Sequence, residues 1–294
     1  MPAIRNQKGL ALVITLMALA LITAMVVEFA YAVYTGTNSL YNWRDSQRLS
    51  LMAKSGVNVS AVFLSKMLRG RDVSYPGSLE MPVENPFEDF TGVITVRLED
   101  ERSKFNINAI VYKNGIVNDD AYHAFQKLLR ILSLDQKIAD RIADWIDPDS
   151  EARSGDSEAG AKNAALLSVD ELRLIKGITN KDYETLLPYV TVYGTRDNLA
   201  ININGAESPV LVSLSESIDE MTANKIIQYR EYSPFENIGQ VQNIVTFSTG
   251  AGISIVFKGR EFSLRSRAES GGIKRIIETV FDIEAKKIVY WKEY

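Results

Sequence analysis

Residues 10–27 read LALVITLMALALITAMVV, a run with no charge between Lys8 and Glu28. As a helix rising about 1.5 Å per residue it spans roughly 27 Å, close to a bilayer hydrocarbon thickness of about 30 Å. Arg5 and Lys8 precede it, which holds the short leader on the cytoplasmic side and sends the rest of the chain outward. Three fates are open for the segment. It is a secretory signal cut at Ala30, Tyr31, Ala32, or an uncleaved single-span anchor, or a prepilin-type leader cut after Gly9 that leaves the apolar run in the mature chain from Leu10. The signal is the strained reading, because the apolar run is long for one and Glu28 sits just ahead of the cut.

Beyond a polar stretch at Gly36–Ser46, Leu49, Ala53, Val57, Ala61, Leu64 and Leu68 recur every three or four residues. The periodicity predicts one helix from Leu10 to Leu68, half in lipid and half on a soluble head. Gly36, Thr37, Asn38 and Ser39 are poor helix formers and mark where it would kink or divide in two. A polar linker comes next at Gly70–Pro86, then a strand at Gly92–Leu98. Strands are expected again at Gly252–Phe257, Glu261–Arg267, Ile273–Ile283 and Ile288–Trp291, with a helical block over residues 118–246 between. The expected class is α+β: a long N-terminal helix packed on an antiparallel sheet, with an all-α block inserted in that sheet. The divisions are 1–9 leader, 10–34 membrane span, 35–117 and 247–294 helix-and-sheet unit, and 118–246 insertion.

The insertion echoes itself. Asn106, Ile107, Asn108 introduces one helical stretch and Asn202, Ile203, Asn204 a second; Leu129–Leu134 with Ala139, Ile142 and Trp145 parallels Leu211–Leu214 with Ala223, Ile226 and Tyr229. These read as helix-hairpin-helix or SAM-like units, which raises DNA binding as an alternative. The hairpin loops argue against it, since two of them carry Asp135 and Glu216 where a phosphate would sit. The whole chain of 294 residues has 33 Lys plus Arg against 37 Asp plus Glu, a net charge of −4, so it offers no global basic field.

There is no cysteine and one histidine, His123, which excludes disulfides, thiolate sites and any two-histidine zinc site. No Gly-rich phosphate loop and no Gly-x-Ser-x-Gly turn is present, so an enzyme is not expected. The chemistry-bearing cluster is acidic. Asp135, Asp140, Asp144, Asp147, Asp149, Glu151, Asp156 and Glu158 face only Lys137, Arg141 and Arg153, and Asp140, Asp144 and Asp147 share one helix face. Like charges so placed repel unless neutralised, and a hard cation with oxygen ligands suits them, calcium better than zinc. It is not an EF-hand, because Ala152 falls where the turn glycine belongs. A solvated loop with Asp residues capping helices is the other reading.

The leader ending in Lys8 and Gly9, the span opening at Leu10 and the amphipathic continuation resemble type IV pilins and pseudopilins. Most members carry a glutamate at the fifth position of the mature chain; here that position is Ile14. The departure resembles the K-type minor pseudopilins of type II secretion. So do Asp144, Trp145, Ile146, Asp147, Pro148, Asp149; Gly155 and Glu158; Val169, Asp170, Glu171, Leu172; Lys176, Gly177, Ile178; Pro188, Tyr189, Val190; Asn202, Ile203, Asn204; and Arg230 with Phe235. Gly205 stands where threonine is usual.

The resemblance implies a subunit at the tip of the periplasmic pseudopilus, initiating or capping its assembly and supporting export across the outer membrane. It would be processed between Gly9 and Leu10 by prepilin peptidase, methylated, anchored in the inner membrane by a single pass, and partnered by the I-type and J-type minor pseudopilins and by other pseudopilins. A glutamate in lipid needs the amine of the subunit above it, so a topmost subunit has no use for one. The resemblance also implies calcium, carried onto Asp147, Asp149 and Glu158 first, with Asp144, Glu151 and Asp156 beside them. A type IV pilus minor pilin, or another single-span envelope interaction protein, is the alternative.

Overall fold

The computed structural model describes residues 7–83, 92–155, 157–158, 160–245 and 250–294. Helix α1 (Gln7–Met67) is continuous through Gly36–Ser39. The glycine costs only about 1 kcal/mol, and a helix already nucleated on either side propagates through the stretch more easily than it restarts. Among the described residues it is the one helix long and apolar enough to cross a membrane. Its N-terminal half touches nothing else in the molecule; Leu10, Ile14, Leu21 and Val27 are all exposed.

The C-terminal half packs as its periodicity requires. Leu49, Met52, Ala53, Val57, Leu64 and Leu68 bury against Ile94, Val96, Leu98, Phe262, Leu264, Ala268 and Ile277. These come from an antiparallel sheet of β1 (Ser78–Val83), β2 (Val93–Asp100), β7 (Glu261–Ser270), β8 (Ile273–Asp282) and β9 (Lys287–Glu293), paired in the order β1-β2-β7-β8-β9. Helix and sheet touch closely at Gly56, where a Cβ would come within 2.3 Å of Ser266 Oγ and 3.1 Å of Ile94 Cγ2. Strand β1 lies within the stretch expected as a linker. It is a short edge strand that tolerates Pro82 and turns Leu79, Met81 and Val83 toward the helix.

Strands β2 and β7 are direct neighbours, with Asp100 opposite Phe262, yet residues 101–260 lie between them in sequence. This segment folds around its own core, a helical body whose largest buried side chains are Phe105, Phe125 and Phe235. Phe105–Val111 and Ile253, expected with the sheet, are buried in this second core instead. Their strands pair inside the helical body, so they cannot also serve the sheet.

The body is two copies of one arrangement. In the first, β3 (Phe105–Asn106) pairs in parallel with β4 (Val190–Thr191) and is followed by α2 (Asp119–Ile131) and α3 (Lys137–Ile146), a 3-10 turn at Val169–Leu174 and α4 (Asn180–Leu186). In the second, β5 (Leu199–Asn202) pairs in parallel with β6 (Ile253–Val256), with α5 (Ser208–Ser213), α6 (Glu220–Tyr232) and α7 (Ile238–Gln242) between. The two asparagine motifs act alike. Asn106 Oδ1 accepts from Asn108 N–H at 3.0 Å, and Asn202 Oδ1 from Asn204 N–H at 3.1 Å. Asn108 donates to the carbonyls of Leu166 and Val192 and accepts from Leu166 N–H; Asn204 donates to those of Phe235 and Phe257 and accepts from Phe235 N–H. Each side chain replaces three bonds that water would otherwise supply to buried backbone.

The joint between body and sheet is polar and tight. Asp100, 2% exposed, accepts from Asn202 Nδ2 at 2.6 Å, Arg102 N–H at 2.9 Å and Ser74 Oγ at 3.1 Å, while Ser74 Oγ takes the Gly259 N–H at 2.7 Å. A Cβ on Gly77 would lie 2.6 Å from the Gly205 backbone, so the strap after α1 lies flat on the body. Lys258 Nζ donates to the carbonyls of Leu68 and Arg71, whereas Arg275, at the other end of the sheet, reaches Ser46. The chain therefore enters and leaves the body at the end of the sheet farthest along α1 from the apolar span, and the body also reaches back over β9, where Lys292 Nζ donates to Asp170 Oδ2 at 2.8 Å and the Tyr193 and Tyr290 rings lie 6.0 Å apart.

Candidate metal centre

Helix α3 ends where Pro148 comes after Asp147, since proline disfavours helical geometry in the residue before it. Asp147 is the C-cap, and Asp144 lies one turn earlier. Both are fully buried. The loop after α3 doubles back over them: Arg153 N–H donates to Asp144 Oδ2 at 2.9 Å, and Ser157 Oγ makes a short bond to the same oxygen. This turn brings up Glu158. Ligand oxygens of Asp144, Asp147 and Glu158 lie within 4.8 Å of one another.

One cation is already present. Arg153 Nη1 contacts both Asp144 Oδ1 and Asp147 Oδ2. Asp147 Oδ1 and Glu158 Oε1 remain buried with no hydrogen-bond partner among the described residues. Burial pushes the Asp147 carboxyl above its ordinary range, with the charges of Asp149 and Asp144 adding to the effect and Arg153 opposing it. Glu158 is raised first by burial and then by Asp144, Asp147 and Asp149. Three acids with one guanidinium leave the cradle two negative charges in excess.

The other expected ligands stand apart. Asp149 and Glu151 are exposed and outside the cluster; Asp149 Oδ1 accepts from Glu151 N–H at 2.9 Å, a local turn. Asp156 lies outside the described residues. Asp140, on the same helix face, is taken by the hydroxyl of Tyr122. Arg153 and Ser157, which shape the cradle, carry no local sequence signal beyond belonging to a charged loop. In the second copy α6 reaches Phe235 through Ser233 and Pro234 alone, so the acidic loop from Asp147 to Ala165 is particular to the first.

The orphaned oxygens suit a hard divalent cation. Calcium takes six to eight oxygens, which three carboxylates, backbone carbonyls and water together can provide.

Two models of a single family, type II secretion system (T2SS) protein K, match residues 103–195 and 201–257, together just over half of the chain. The chain belongs to the type II secretion system protein K family. The two matched stretches coincide with the two copies in the helical body. Type II secretion system protein K of Pseudomonas aeruginosa is 29% identical over 301 residues, covering 93% of this chain and 88% of that one. The Aeromonas hydrophila protein is 26% identical over 313 residues, with 96% and 94% covered, and that of Pectobacterium carotovorum subsp. carotovorum 28% over 263 residues, with 76% of each. A chain in the crystal structure of the GspK-GspI-GspJ complex from the enterotoxigenic Escherichia coli type 2 secretion system shares the fold. Its TM-score is 0.60 at 18% identity, over 88% of this chain and 99% of that one. The mixed α+β class and the pseudopilin-like N-terminal helix agree with that family.

Proposed function

We propose that this chain is the tip subunit of a type II secretion pseudopilus, joining I-type and J-type minor pseudopilins to initiate or cap assembly and so support export across the outer membrane. The position of the helical body carries the reading. It joins the sheet at the end farthest from the apolar span, through Asp100, Ser74, Lys258 and Gly259, and lies back over β9 only as far as Asp170 and Tyr193 reach Lys292 and Tyr290. A subunit added above would have to occupy that volume, whereas the exposed length of α1 below it is free for packing against other helices. A head-to-tail filament ends where one of its two complementary surfaces is obstructed.

Ile14 supports the same end. It is exposed on α1 and carries no charge, so this chain makes no demand on an amine above it. Gly9 and Leu10 are exposed in the first turns of α1, accessible to a prepilin peptidase; methylation of Leu10, anchoring in the inner membrane and a periplasmic body belong with that reading. Calcium belongs to it as a structural ion held by Asp144, Asp147 and Glu158. Partner identity rests on the protein complex in which the like-folded chain was crystallised.

The test is co-purification from membranes. The full chain should recover I-type and J-type pseudopilins, with a mature N-terminus at Leu10 by mass spectrometry, and recovery should need the partner's span glutamate. Recovery that ignores that glutamate, or a terminus at Val33, would refute the tip assignment.

A further inference from the structure

Arg153 lies where a bridging metal ion would have to lie. Its Nη1 is held between one oxygen of Asp144 and one of Asp147, both acids fully buried, while Asp147 Oδ1 and Glu158 Oε1 find no partner among the described residues. We propose that Arg153 is the resident counter-ion of this cradle and that a divalent cation exchanges with it, turning the guanidinium out to solvent. The inference rests on the calcium reading of the cradle and adds to it a built-in competitor.

A guanidinium is planar and presents its N–H groups in a fixed fork, so it can reach two of the carboxylates but cannot turn toward the remaining oxygens as a spherical ion does. A cation of charge two in place of the guanidinium lowers the excess of the three acids from two negative charges to one. A cation bridging Asp144 Oδ1 and Asp147 Oδ2 at metal–oxygen distances of about 2.3–2.6 Å would take the position that Nη1 now holds, so the two compete for one place. The exit is short. The Arg153 side chain is 27% exposed. Its backbone N–H is anchored on Asp144 Oδ2 at 2.9 Å and Ser157 Oγ bonds the same oxygen, so the loop has its own hold on the helix while the side chain leaves.

The exchange has a readout of unusual sign. Calcium ordinarily protects a loop, but here it should expose one arginine. The full chain in detergent is treated with phenylglyoxal with and without calcium, and modification is read residue by residue by mass spectrometry. Arg153 should react about tenfold faster with calcium, while Arg141 and Arg173 do not. Titration of calcium against the Arg153→Gln chain should give binding about tenfold to a hundredfold tighter than in the wild type, the range set by releasing a charge-assisted bond from competition. Calcium that protects Arg153 or leaves its reactivity unchanged, or weaker binding by Arg153→Gln, overturns the exchange while the calcium site stands. No calcium binding in either chain removes the site and the exchange together. Should Arg153→Gln fail to fold, the modification experiment on the wild type decides alone.

Discussion

Asp100 makes the joint between sheet and helical body sensitive to pH. Burial pushes its carboxyl up from 3.8 to about 6, against the hydrogen bonds from Asn202, Arg102 N–H and Ser74, and the adjacent Glu101 adds to the rise. Between those pH values the folded chain holds a proton that the unfolded chain releases. Stability is therefore gained as pH falls from about 6 toward 4, and the cost of the buried charge is fully present above 6. Integrated between pH 7.5 and pH 4, the gain is about 2.5 kcal/mol. Asp100→Asn removes the titration but retains a single acceptor oxygen, so it also loses one or more of the three accepted bonds, at about 1–3 kcal/mol. At pH 7.5 the two effects oppose one another; at pH 4 only the loss remains. Urea unfolding of wild type and variant at pH 7.5, 6 and 4 should show the difference between them growing by about 2.5 kcal/mol on acidification. Titrations of groups not coupled to Asp100 are common to both chains and cancel. A difference that changes by less than about 1 kcal/mol over that range would mean that Asp100 is hydrated, and that the joint is open in solution.

The two asparagine motifs should be equally costly to remove. Asn108→Ala and Asn204→Ala each delete three bonds to buried backbone, about 3 kcal/mol apiece by urea unfolding, and unequal losses would contradict the equivalence of the two copies. Gly56→Ala should cost about 1–3 kcal/mol by driving a Cβ into Ser266 Oγ, and Ser266→Ala, which deletes an oxygen with no partner among the described residues, should restore part of it in the double variant. Asp147→Asn should abolish any rise in melting temperature caused by calcium, yet melt above the wild type in chelator, because burial disfavours its charge. An unchanged calcium shift would take Asp147 out of the site.

Much of the fold is readable from residue order. The spacing of Leu49 to Leu68 announces one buried stripe, and the repeated Asn-x-Asn announces the duplicated body. Strand β1 is hidden because Pro82 and the glycines around it read as linker, and an edge strand tolerates a proline that a central strand would not. Asp144 and Asp147 are legible from their helical spacing. Asp149 and Glu151 have the same composition but spend their groups on a local turn, which no count of charges reveals. Glu158 enters the cradle only through the path of a loop fixed by Arg153 and Ser157, contacts that depend on the folded loop and have no period to detect. The start of the helical body, at Phe105 rather than residue 118, is concealed for a similar reason: Phe105 and Ile107 look like sheet residues until Val190 is found pairing beside them.

Bulk and the missing glutamate are two separate arguments for a tip position, and the strand register separates them. Since Asp100 stands opposite Phe262, residues 101–260 can be replaced by a short turn that converts the β2 to β7 crossover into a hairpin. Among the described residues no side chain from 101–260 belongs to the core between α1 and the sheet, so the trimmed chain should keep its helix, sheet and cooperative melting. Asp100, freed from Asn202 and Gly259, then faces water and no longer costs stability. If the body obstructs the next subunit, partner filaments nucleated by the trimmed chain should grow longer than those nucleated by the full one, by electron microscopy. If the block lies instead in the span, trimmed and full chains should give filaments of equal length, and Ile14→Glu alone should lengthen them. Equal lengths from the trimmed chain would refute obstruction by the helical body, whatever Ile14 does.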